Sequence, residues 1–158
     1  MNVSLGAPTC AVVSHNGFLN RRFRLLAKQG RVVTSWAQSI LIHERSKITH
    51  GVSYDLVEIP AVQFPRAERS LLTVERFALG SLEHIPVEVP LLFLEQREDR
   101  LRKGVYVFCL SVIDPDTLAS VLFVIEHQLN SAGCLGVRRR NFDEIFPEET
   151  TFVFCAPP

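Results

Sequence analysis

Two arginine clusters carry most of the chemistry this sequence offers. Arg21, Arg22 and Arg24 lie among the aromatic side chains Phe18 and Phe23, and Arg138, Arg139 and Arg140 run on towards Phe142. A guanidinium is a planar, permanently charged fork that matches phosphate and carboxylate oxygens. Next to an aromatic ring it suits single-stranded nucleic acid, whose phosphates need neutralising and whose bases need a stacking surface. It suits anionic lipid head groups as well, at about 1 kcal/mol for each cation near the surface. The competing reading is a solvated or ion-paired strip, with the acidic stretch at 143–149 as the partner of the second cluster.

Other reactive residue types are not arranged for catalysis. His15, His43, His50, His84 and His127 make no dyad along the chain, and GxxxxGK, GxSxG and HExxH are all missing. Cys10, Cys109, Cys134 and Cys155 are far apart and lack the short paired spacing of zinc ligands, so they read as small apolar packing residues. The expectation is a non-enzymatic protein with no catalytic residue, no metal and no cofactor.

The elements that would position the arginines centre on residues 103–141. The dense apolar run at 105–113 has the composition of a strand with a buried face. Asp114, Pro115, Asp116 and Thr117 then supply cap, first-turn proline and dipole complement for a helix. Its stripe would be Leu118, Val121, Leu122, Ile125, Leu129 and Ala132, closed by Gly133 and Gly136. Phe123 and Val124 fall outside that stripe. A helix apolar on more than one face is buried on more than one side, either by its own domain or by another subunit; in so short a chain the second is taken, which places these two residues at a subunit boundary.

Upstream, strands are expected over 18–27, 31–44, 51–59, 71–79 and 85–94, with Trp36 anchoring the core. Pro60, Pro65, Pro86 and Pro90 mark strand ends or edges, because proline cannot donate to a ladder. A last strand is expected at 151–154. The fold class is thus mainly β within α+β: an antiparallel β-sandwich or partial barrel with one principal helix near the C-terminal third. The 158 residues make one domain, with 1–30 and 141–158 as extensions. No apolar run reaches the roughly 20 residues of a membrane span and the first residues lack a secretion signal, so a soluble intracellular protein is expected. Net charge is zero, so the local clusters, and not the overall balance, point to partners.

The order of these landmarks resembles the matrix proteins of bornaviruses and related negative-strand RNA viruses. The resemblance rests on Arg31-Val-Val-Thr-Ser-Trp36 followed by Ile40-Leu-Ile42, on Leu56-Val-Glu-Ile-Pro60, and on the 103–112 strand with the 118–136 helix and its Gly-x-x-Gly exit. It spans about 31–140, and the acidic end departs from it. It implies a β-sandwich domain that assembles into a homotetramer beneath the viral envelope. Such a protein binds single-stranded RNA or ribonucleoprotein and anionic inner-leaflet lipid, and organises virion assembly and budding. Arg21, Arg22, Arg24, Arg138, Arg139 and Arg140 would then make the RNA or lipid contacts. Two alternatives stay open: a viral accessory protein that binds a host protein through the proline-bearing middle, and a small intracellular enzyme using histidine or cysteine in a cleft.

Overall fold

The computed structural model describes residues 5, 7–101, 104–127 and 131–158. Its strands are β1 (Cys10–Val13), β2 (Val32–Val33), β3 (Ser53–Pro60), β4 (Val105–Ile113), β5 (Ser120–Glu126), β6 (Cys134–Arg139) and β7 (Thr150–Cys155). Its helices are α1 (Leu19–Lys28), α2 (Ser35–His43), α3 (Leu71–Ala78) and α4 (Val89–Gln96). The strands make one open sheet in the order β1-β3-β7-β4-β5-β6-β2. Neighbours run antiparallel except β4 with β7 and β2 with β6. The α+β class expected from sequence holds. The sandwich or barrel does not, because all seven strands belong to one sheet.

Both faces of that sheet are covered. Phe23 and Leu26 of α1, Ala37, Ile40 and Leu41 of α2, and Leu91 to Leu94 of α4 pack against Leu56, Phe108, Leu110, Phe123 and Val153. On the opposite face Leu71, Val74 and Ala78 of α3, with Phe64 and Phe146, pack against Val107, Cys109, Leu122, Val124 and Phe152. Alternate residues of β4, β5 and β7 thus enter different cores, as the two-residue period of a strand requires. A strand buried on both faces reads as a continuous apolar run.

That explains the largest departure from expectation. The segment read as the principal helix is strand β5, in the middle of the sheet between β4 and β6. In Val121-Leu-Phe-Val-Ile125 every position is apolar, so the three- and four-residue spacings of a helix are present by default. Leu129, the next member of the expected stripe, lies outside the described residues. The cap chemistry of Asp114 is real but serves a turn. Its Oδ1 accepts from the Asp116 N–H at 3.1 Å and its Oδ2 from the Thr117 hydroxyl at 2.7 Å. A side chain that caps a helix can equally close a hairpin, since both offer it a backbone N–H two residues on.

The first half shows the reverse exchange. Residues 18–27, 71–79 and much of 31–44 and 85–94, expected as strands, form α1, α3, α2 and α4. Thr34 and Ser70 cap α2 and α3 by accepting from the N–H of Ala37 and Thr73. Each helix has only eight to ten residues, so about two turns are all a helical period has in which to declare itself. Trp36, in the first turn of α2, packs on the core and donates its indole N–H to Asp114 Oδ2 at 3.2 Å. Helix α4 is buried all round from Val89 to Leu94. The chain's many-sided apolar helix is therefore this one, enclosed by its own domain. At the sheet's β1 edge the Gln96 side chain receives the Val13 N–H at 2.9 Å and donates to the Val13 carbonyl at 2.6 Å, standing in for an eighth strand.

Candidate polyanion-binding surface

Helix α1 separates its arginines by direction. Arg22, Phe23 and Leu26 turn inward and are buried. Phe18, Arg21, Leu25 and Lys28, at spacings of three, four and three, make an exposed strip with Arg24 beside it. Phe18 is 87% exposed and Leu25 48%. No Asp or Glu occurs in α1, and none of Arg21, Arg24 and Lys28 forms an ion pair among the described residues. Three uncompensated cations with an aromatic and an aliphatic side chain among them form one face. Lys28 lies one residue beyond 18–27, the stretch expected as a strand, and joins the face only because the segment is helical to Lys28.

The other expected contacts scatter. Arg22 is buried against Glu95. Arg138 pairs with Glu126 at 3.2 Å and Glu144 at 3.1 Å. Arg140 pairs with Glu75 of α3 and stacks on the Phe142 ring, 5.3 Å from its centroid. Arg139 is exposed and makes no ion pair among the described residues. Because this run belongs to a strand and its continuation, Arg138 and Arg140 point to one side of the sheet and Arg139 to the other. Three consecutive arginines do not make one basic patch here. Phe123 and Val124, placed at a subunit boundary from sequence, are 0% and 4% exposed and lie in opposite cores of the same chain. Their doubly apolar character is consumed by the two faces of the sheet.

Beside the start of α1 lies a second feature. The segments 15–19 and 45–50 border a cleft of about 280 Å3. His15 reaches its wall with Nε2 at 2.8 Å from Glu95 Oε2, and Arg22 grips the same carboxylate at 2.7 Å through each of two nitrogens. Behind the opposite wall Glu88, fully buried, accepts from the Thr49 hydroxyl at 2.6 Å, the Tyr54 hydroxyl at 2.7 Å and the Thr49 N–H. Ser14 joins this network, 2.9 Å from the Thr49 hydroxyl and accepting from the Val52 N–H. Burial, aided by the Glu88 charge, pushes the Tyr54 phenol up to about 12.

Cys155 and Cys109 are poorly placed as nucleophiles. Cys155 lines a separate pocket of about 270 Å3 with His84, but burial and the Glu83 and Asp55 carboxylates push its thiol up to about 12. Burial likewise raises Cys109 well above its ordinary value. Among the described residues no group of three His, Cys, Asp or Glu could hold a metal ion, and no helix is long and apolar enough to cross a membrane. Comparison with protein-family models, curated proteins and solved structures finds no match to this chain.

Proposed function

We propose that this protein is a peripheral polyanion-binding protein of the viral matrix type, which lays the outer face of α1 on an anionic membrane surface. The observation that carries the reading is a helix without a single carboxylate, whose exposed strip interleaves Arg21, Arg24 and Lys28 with Phe18 and Leu25. Basic side chains flanking exposed apolar ones are the pattern of an interfacial helix, where cations meet head groups and the apolar tips enter the acyl boundary. Lipid is favoured over RNA because Leu25 offers no stacking face and Phe18 is the one exposed aromatic on the strip. The resemblance to bornavirus matrix proteins supports the same role, on the inner side of an envelope with the ribonucleoprotein as second partner. Assembly into a tetramer would use surfaces other than Phe123 and Val124, which are enclosed.

The test is co-sedimentation with phosphatidylcholine vesicles with and without phosphatidylserine. The protein is expected to bind only the anionic vesicles, with affinity falling steeply as salt rises. Replacing Arg21, Arg24 and Lys28 together by Ala should cost about 3 kcal/mol, roughly a 150-fold loss. Unchanged binding by that variant, or equal binding to neutral vesicles, would overturn the assignment. Binding of single-stranded RNA without vesicle binding would give the surface to nucleic acid instead. Light scattering at rising concentration measures self-association directly.

A further inference from the structure

The cleft beside α1 is built for a different ligand from the helix's outer face. Its walls present His15, Asn16, Arg45, Thr49 and His50, and no carboxylate is among the residues that line it. The acidic groups around it are engaged elsewhere: Glu44, which precedes Arg45, pairs with Lys47. Glu95 is held bidentately by buried Arg22, and Glu88 is enclosed by hydroxyl and amide donors. Arg45 is exposed and forms no ion pair among the described residues, so its guanidinium is available to a ligand.

The walls are also fixed before any ligand arrives. Backbone bonds from Ser14 to Val52 and from Gly51 to Ser14, at 2.8 and 2.9 Å, tie the two bordering segments together at the base. Glu95 fixes the His15 ring: a carboxylate can only accept, so Nε2 carries the proton and donates to it. The other ring nitrogen, Nδ1, sits beside Gly17, where a Cβ would stand 3.4 Å away. Helix α1 begins at the same place with Phe18 in its cap position and no side chain accepting from its first amides, which puts backbone N–H donors at this end of the cleft.

We infer that this cleft binds the phosphoryl group of a small molecule, held by Arg45, His50 and the Asn16 amide, with the His15 ring as part of the wall. The volume lies near the lower end of small-ligand sites, which fits a compact anionic group. Phosphate is favoured over carboxylate because donors come from both walls, and three terminal oxygens use them where two would not. The ligand is either a free phosphate compound or a phosphorylated lipid head group, since Gly17 and Leu19 of the cleft flank Phe18 of the basic strip. The site does not depend on the membrane assignment.

The test follows backbone amide shifts while inorganic phosphate is titrated into the full chain. Saturable shifts are expected at Asn16, Gly17, Leu19, Thr49 and His50, and Arg45→Ala should weaken binding by about tenfold or more. The triple Ala variant at Arg21, Arg24 and Lys28 should keep them, which separates this site from the α1 surface. No saturable shift, shifts confined to the outer face of α1, or an unaffected Arg45→Ala protein would overturn the inference. A second arm compares vesicles containing a phosphorylated phosphatidylinositol with phosphatidylserine vesicles of equal charge. Tighter binding to the former, abolished by Arg45→Ala, assigns the phosphoryl group to lipid. Equal binding alongside the phosphate shifts assigns it to a free compound.

Discussion

Arg22 holds Glu95 through two hydrogen bonds of 2.7 Å, Nε to Oε1 and Nη2 to Oε2, and this pair joins α1 to the last turn of α4. The guanidinium side chain is 3% exposed and the carboxylate 13%. Truncating one partner would leave a buried charge with no counterpart, a loss of about 3–5 kcal/mol. Arg22→Met is expected to lower the urea midpoint accordingly. Arg22→Met combined with Glu95→Leu should recover most of the loss, because two apolar side chains need no mutual compensation. A double variant as unstable as the single one would show that shape, and not charge, is what the site requires.

Tyr54 and Glu88 offer an alkaline test. The raised phenol means that the folded state favours the protonated form. Its contribution to stability is complete below the free tyrosine value of about 10, and is lost as pH rises through about 12. Tyrosinate absorbance should therefore contain one late transition that vanishes in Tyr54→Phe. Glu88→Gln should bring that transition to lower pH by removing the neighbouring negative charge.

Asp114 gives the opposite sign. Donation by the Thr117 hydroxyl, helped by the Asp116 N–H and the Trp36 indole, holds its carboxyl below the usual range against the effect of burial. A depressed value means that stability is present above the unfolded pKa and disappears as pH falls through the folded one. Thermal midpoints measured from about pH 5 down to about pH 2 should fall less steeply for Asp114→Asn than for the parent chain. Parallel curves would remove Asp114 from the acid response.

Gly104 precedes β4 with φ at +94°, and a Cβ there would lie 2.5 Å from the Glu149 carbonyl oxygen. Gly30 has φ at +74° with nothing within 4 Å of such a Cβ. Gly30→Ala should cost about 1 kcal/mol for backbone conformation alone. Gly104→Ala should cost more than about 2 kcal/mol, because the strand must also move from the 149–150 turn. Denaturant midpoints of the two variants settle the ranking.

Three strands were legible in the sequence, where the expected 51–59, 105–113 and 151–154 overlap β3, β4 and β7, because β-branched and aromatic residues cluster there between proline, glycine and acidic breaks. The basic character of α1 was legible too, through Arg21 and Arg24. Its geometry was not. Whether Phe23, Leu25 and Ala27 alternate along a strand or split around a helix depends on what packs beneath them, and the buried partner of Arg22 lies 73 residues away. The cleft could not be read from the chain, since His15 and Arg45 come from different connections and meet only when β1 pairs with β3.

By itself the sequence determined composition and local chemistry: an apolar content sufficient for a packed core, breaks that end strands, and cations grouped in two short stretches. Tertiary structure decided which apolar runs became strands and which became helices. The reason is that Val121 to Ile125 and Val89 to Leu94 are both apolar on every side, so only the number of faces covered by neighbours tells them apart. It also decided which arginines stayed free, because a guanidinium beside a distant carboxylate and one facing solvent are spelled identically.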